Sequence, residues 1–319
     1  MRSSLVILAF AACGDNRAGL DAAPDVAIID ASLIDAASSE KTTLIVSSAD
    51  GSRIDFWPIG AVGDTAPTRT ITGPETSLQS PTSMIVVGPE LYVTVYGGDA
   101  VHVFPLSGRG DIQPTRYITG PATMLNEPTS IARAGDEIYV GNLGAINVYP
   151  LKATRDVAPT RVITGPATKL ELVTGIEIRG NEMFVTSRDN AIHVFAADAS
   201  GDVAPLRSIT GAATRLGLPS DLAVVDDEII VANQQLDSIT VYPATGTGNL
   251  APIREIIGAN TGAMGPWGLI HEAGQLLLAC FETNTINVYP VDGNGDVVPT
   301  RTLGGAATGL AEAAGVAVY

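Results

Sequence analysis

Two carboxylates and two amides are the side chains of this sequence best placed to do chemistry. Glu177 and Asp221 interrupt segments otherwise made of small and apolar residues, and Asn142 and Asn233 close two apolar runs. Carboxylate and amide oxygens together make a hard donor set of the kind that holds calcium or magnesium. A cation so held could polarise a carbonyl for hydrolysis or elimination. The competing assignment gives both acids structural work, with Asp221 capping backbone amides and Glu177 paired with Arg179 or Arg133.

Six arginines form a second set. Arg69, Arg116, Arg161, Arg207, Arg254 and Arg301 are spaced by 47, 45, 46, 47 and 47 residues. Each lies five residues after Asp64, Asp111, Asp156, Asp202, Asn249 or Asp296. An arginine beside a turn acid is more simply a structural brace than a functional ring, and the expected pairing is within each repeat. Asn249 would leave one repeat with a neutral bond. The loop Asp292–Asp296 has the look of a calcium loop but lacks the downstream bidentate Glu. Its counterparts keep glycine and vary at the would-be ligands. His102 and His193 share one repeat position, filled elsewhere by Asp55, Asn147, Thr240 and Asn287, and expected to be half-exposed. His271 has no histidine partner, so no zinc cluster is expected.

These residues ride on a repeated text. An alternating apolar run of the general form I-x-V-[YF]-P begins at Ile54, Val101, Ile146, Ile192, Ile239 and Ile286, and a Gly-Asp turn leads to P-x-R-x-[IL]-x-G. Within residues 125–165, four short runs bounded by Gly, Pro or Asp describe a four-stranded antiparallel meander. The proline-bearing fourth run belongs at an edge, and the first, rich in small residues, at the centre. After the last repeat the C-terminus supplies GLAEAAGVAVY, a first strand, while TTLIVSS from Thr42 supplies a second. One unit is therefore shared between the two ends, which closes a ring and removes exposed edges. The sequence predicts an all-β, six-bladed β-propeller over residues 42–319, with one inner strand taken from the C-terminus.

Aligned on that architecture, the inner strands start at Ser83, Ser130, Gly175, Asp221, Gly268 and Gly315, preceded by Thr82, Thr129, Thr174, Ser220, Trp267 and Ala314. Asp221 and Trp267 break this row of small residues in adjacent blades. With Glu177, Asn142 and Asn233 they make up a candidate axial pocket, in which Glu177 and Asp221 are the candidate metal ligands.

The run PTSIARAGDEIYV at residues 128–140 resembles the NHL-type and related YVTN propeller repeats. That resemblance implies the fold and leaves activity open, since these families include scaffolds, binders and unrelated enzymes. Six-bladed propellers of the gluconolactonase-like class bind a metal through one Glu, one Asp and one Asn, and the match here is by residue type alone.

The first residues resemble a bacterial lipoprotein signal. Arg2 and the apolar run Leu5 to Ala12 precede Cys13, the residue that such a signal leaves lipidated. Residues 1–12 are read as the signal and 13–41 as an acidic, alanine-rich tether whose composition cannot bury enough surface to order itself. With Cys13 modified, Cys280 is the one remaining thiol and is expected to be a small buried residue. The net charge of −16 disfavours nucleic acid and anionic lipid as partners. The expected protein is a monomer in a bacterial cell envelope, an outer-membrane lipoprotein, periplasmic or surface-exposed, touching the membrane through its anchor alone. Its expected role is a non-enzymatic binding or scaffold module for a protein or glycan. The alternative is a metal-dependent, lactonase-like hydrolase or lyase, and a calcium or magnesium ion at the axis would be its only cofactor.

Overall fold

The computed structural model describes residues 41–319. The residues read as a signal, Cys13 and nearly all of those read as a tether lie outside the described residues.

Six four-stranded antiparallel sheets build the domain. The first blade is β24 (Ala313–Val318), β1 (Thr43–Ser48), β2 (Arg53–Pro58) and β3 (Arg69–Thr72), so the C-terminal strand pairs with the N-terminal one, as expected. The second blade holds β4 (Pro81–Val87), β5 (Glu90–Val95), β6 (Ala100–Pro105) and β7 (Arg116–Ile118). The third holds β8 (Ser130–Ala134), β9 (Glu137–Asn142), β10 (Ala145–Pro150) and β11 (Arg161–Thr164). The fourth holds β12 (Val173–Arg179), β13 (Glu182–Ser187), β14 (Ala191–Ala196) and β15 (Arg207–Thr210). The fifth holds β16 (Pro219–Val225), β17 (Glu228–Asn233), β18 (Ser238–Pro243) and β19 (Arg254–Ile256). The sixth holds β20 (Pro266–Glu272), β21 (Gln275–Cys280), β22 (Thr285–Pro290) and β23 (Arg301–Gly304). Inner strands β24, β4, β8, β12, β16 and β20 meet in cyclic order around the axis.

No blade owns a core. Each of six apolar clusters lies between two neighbours: Ile54 and Phe56 of the first blade pack on Leu91 and Phe104 of the second, and Val46 and Trp57 on Leu277 and Val288 of the sixth. A single blade could not bury its faces, and closure of the ring supplies the missing partner. Cys280 is buried in one of these clusters, and burial pushes its thiol up to about 11.

The rim corrects the expected arginine pairing. The turn acids do not pair with the arginines of their own repeats. Asp111 accepts the N–H of Glu75, Asp156 that of Ala122, and Asp202 that of Ala167, each capping the short turn that ends the preceding blade. Asn249 does the same for Ala213 at 2.7 Å, because an amide oxygen accepts as a carboxylate does. The arginines turn instead to the glutamate that starts the second strand of their own blade. Arg116 meets Glu90, Arg161 Glu137, Arg207 Glu182 and Arg254 Glu228. Their other nitrogens donate to carbonyls of the next blade, as Arg161 does to Ala197 and Ala199. Arg69 lies over Phe56 and Arg301 donates to Ile59, so the six positions share one structural task.

The histidine position also differs from expectation. His102 and His193 are buried, and His102 lies beside the short 3-10 turn Pro74–Thr76 that ends the preceding blade. His193 bonds Ser208 and Asp189 through its two ring nitrogens. Burial, opposed by a bond to the backbone of Thr76, pushes His102 down to about 4.

Candidate functional site at the propeller axis

Two cavities lie along the axis. The larger, of about 360 Å3, is the channel between the inner strands, and its walls include Glu177, Asp221, Arg133, Arg179 and His271. Glu177 and Asp221 do converge there, as aligned. The oxygens of Glu177 accept from Arg179 Nε at 2.8 Å and from the Val224 N–H of the next inner strand at 2.7 Å. Those of Asp221 accept from its neighbour Leu222 and, one blade on, from Leu269, both at 2.9 Å. Each carboxylate thus staples its inner strand to the next. Asp221 lines the channel wall. Its burial raises it to about 7, with the Glu177 charge pushing the same way and the two backbone N–H bonds opposing. All four oxygens already accept from protein donors, which gives both carboxylates structural work. Among the described residues, no three His, Cys, Asp or Glu side chains converge on one point.

Asn142 and Asn233 lie elsewhere, which corrects their place in the candidate pocket. Asn142 accepts the N–H of Asn126 and donates to Val140. Asn233 accepts from Gly217 and donates to Thr240 and Val231. Both are buried braces for the loop that enters the inner strand. Ser48 and Ser187 do the same work in other blades, for Ala311 and Glu171.

The row of small residues before the inner strands has its own function. Thr82 donates to the carbonyl of Pro128, Thr129 to Val173, Thr174 to Pro219 and Ser220 to Pro266, each reaching into the next blade. These hydroxyls tie blades two to six together around the axis. Trp267 and Ala314 carry no hydroxyl, and there glycines let the backbones close up instead. A Cβ on Gly268 would strike the Ala314 carbonyl, and one on Gly315 would lie 2.5 Å from that of Thr82.

Above this ring opens the second cavity, of about 250 Å3, where Trp267 and Phe281 stack with centroids 5.7 Å apart and 28° between planes. Arg188 lies 5.7 Å from the Trp267 ring, and Tyr96 completes the wall. Phe281, Arg188 and Tyr96 occupy a position that sequence reasoning overlooked, one past the second strand: Ala49, Tyr96, Leu143, Arg188, Gln234 and Phe281. In every blade its backbone N–H donates to the loop before the inner strand, to Glu312, Ser80, Asn126, Leu172, Leu218 and Gly265 in turn. Strand alternation explains the oversight. The last strand residue, where Asn142 and Asn233 stand, points into the blade, and its successor faces the axis. The available signal was six unlike side chains at one fixed offset in an otherwise regular repeat.

No protein-family model matches the chain, and no curated protein matches it by sequence. Solved propellers do match by fold. A chain from a crystal structure of a nidogen/laminin complex is 15% identical over 87% of this chain and 98% of its own, with a TM-score of 0.62. A functionally unknown protein from Desulfotomaculum acetoxidans DSM 771 is 12% identical, covers 87% of this chain and 98% of its own, and has a TM-score of 0.58. The WD40 propeller domain of Doa1 is 13% identical over 83% of this chain and 79% of its own, with a TM-score of 0.56. At these identities the likeness concerns the fold, an all-β propeller of four-stranded blades.

Proposed function

We propose that this protein is a non-enzymatic binding module that takes a protein or glycan partner at the mouth of its axis. In this reading it is held in a bacterial envelope by a lipid on Cys13 and belongs with the NHL-like propellers. The observation that carries the reading is the mouth itself. Six positions with one shared backbone bond bear six unlike side chains, and four of them, Ala49, Tyr96, Arg188 and Phe281, line an aromatic pocket. A binding surface that varies on a rigid scaffold has this form. The channel carboxylates, by contrast, are engaged in holding strands together, which speaks for their structural assignment over a lactonase-like metal centre.

The test is capture of envelope proteins and glycans on immobilised domain 41–319, compared with Trp267→Ala and with a Glu177→Gln, Asp221→Asn double variant. A partner retained by the wild type and the channel variant but lost with Trp267→Ala supports the reading. Repeated failure to retain any partner counts against it. A calcium-dependent rise in melting temperature that vanishes in the channel variant would restore the metal-dependent alternative.

A further inference from the structure

The mouth pocket contains an unanswered charge, and from it we infer the chemistry of its ligand: an acidic sugar, a uronate ring presented at the end or edge of a glycan. This rests on the binding reading above and specifies what is bound.

Arg188 makes no ion pair among the described residues, unlike Arg116, Arg161, Arg207 and Arg254 on the rim. Its Nε is buried without a hydrogen-bond partner, and one terminal nitrogen reaches Gln234 at 3.3 Å. No residue lining the pocket carries a carboxylate. Burial, and after it the nearby Glu127 that faces the hydroxyl, holds the Tyr96 phenol above its ordinary value. A guanidinium with no acid partner and with donors left over beside an aromatic wall calls for a planar anion that can take two N–H bonds, which is a carboxylate.

The rest of the pocket selects what bears that carboxylate. Trp267, backed by the stacked ring of Phe281, offers the pocket an apolar aromatic surface on which a ring of similar size can lie. Around that face stand Ser80, Thr82 and Thr129. Thr129 already donates to a neighbouring carbonyl, so its remaining capacity is to accept, and Ser80 adds a further hydroxyl. A sugar ring has an apolar face and a hydroxylated edge that donates. A wholly apolar acid would leave the pocket's edge acceptors unpaired. A cavity of about 250 Å3 admits one such ring.

The chain contains two tryptophans, and Trp57 is fully buried with its N–H bonded to Thr65, so ligand-dependent fluorescence reports on Trp267. The experiment titrates domain 41–319 with disaccharides of glucose, galactose and mannose, each in neutral and terminal-uronate form. At least one uronate is expected to bind ten times or more tighter than its neutral counterpart. Arg188→Gln should bring that ratio near one without moving the melting temperature. Arg188→Lys keeps the charge and should keep a reduced preference. Phe281→Leu should weaken both forms and leave the preference intact.

Binding without preference for the acid overturns the carboxylate assignment while leaving glycan binding in place. A preference that survives Arg188→Gln overturns the assignment to this pocket. Absence of any sugar binding, with a protein partner still captured through Trp267, overturns the sugar and leaves the binding module standing.

Discussion

The rim and the mouth of this propeller are built on the same six repeats and obey opposite rules. At the rim, the Arg, the turn acid and the glycine of P-x-R-x-[IL]-x-G recur almost unchanged because each meets the backbone or a side chain of an adjacent strand or blade. At the mouth, Ala49, Tyr96, Leu143, Arg188, Gln234 and Phe281 share a backbone bond and nothing else. Repetition marks side chains whose partner is the repeat itself. Variety marks side chains whose partner is something else.

The largest effect that can break this contrast is expected at a rim glycine. Gly165 has φ of +124°, and a Cβ there would lie 2.5 Å from the Asp202 carboxylate oxygen. Gly165→Ala should cost about 3 kcal/mol, combining backbone strain with displacement of the cap, as read from urea unfolding. A loss below experimental error would show that the rim is not constrained as described. Arg161→Ala comes next. It removes a half-buried pair with Glu137 and two carbonyl bonds to the next blade, at about 2 kcal/mol after allowing for solvent.

The axis should respond to pH. Because folding raises Asp221 from 3.8 to about 7, the folded protein keeps a proton that the unfolded chain releases. Its contribution to stability is complete below the lower value and declines as pH rises through the window to the upper one. Asp221→Asn should flatten that part of the melting-temperature profile, and an unchanged slope would assign it to other groups. The smallest effect sharpens the comparison. Asp202→Asn should change stability by less than about 0.5 kcal/mol, since Asn249 already caps with an amide. A substantially larger loss would mean that the charge, and not the hydrogen bond, holds the rim.

The architecture was legible because its evidence is long-range and repeated. Strand lengths, turn glycines and the unit divided between Tyr319 and Thr42 all pointed to a closed ring of six. Partner choice was less legible. The arginine and acid five residues apart suggested a bond within one repeat, yet a propeller brings the turn of the next blade as close as the turn of the same blade, and sequence distance does not rank them. The site was read partly. Glu177 and Asp221 do share the channel, and Trp267 does stand at the mouth. Asn142 and Asn233 failed by one residue, which in a strand means the opposite face. Arg188 and Phe281 were missed because nothing in their local text distinguishes them from ordinary loop residues.

The pairing of β24 with β1 also has a mechanical consequence. A pull on the N-terminal end of the domain enters β1, a strand bonded on both sides, with Thr42 and Thr43 donating to Tyr319 on one flank and the β2 ladder on the other. The load is shared in shear by two ladders and cannot unzip one edge bond at a time. A domain drawn by this end is gripped through the interior of its first blade, so traction along the strand bears on the seam where the ring was closed.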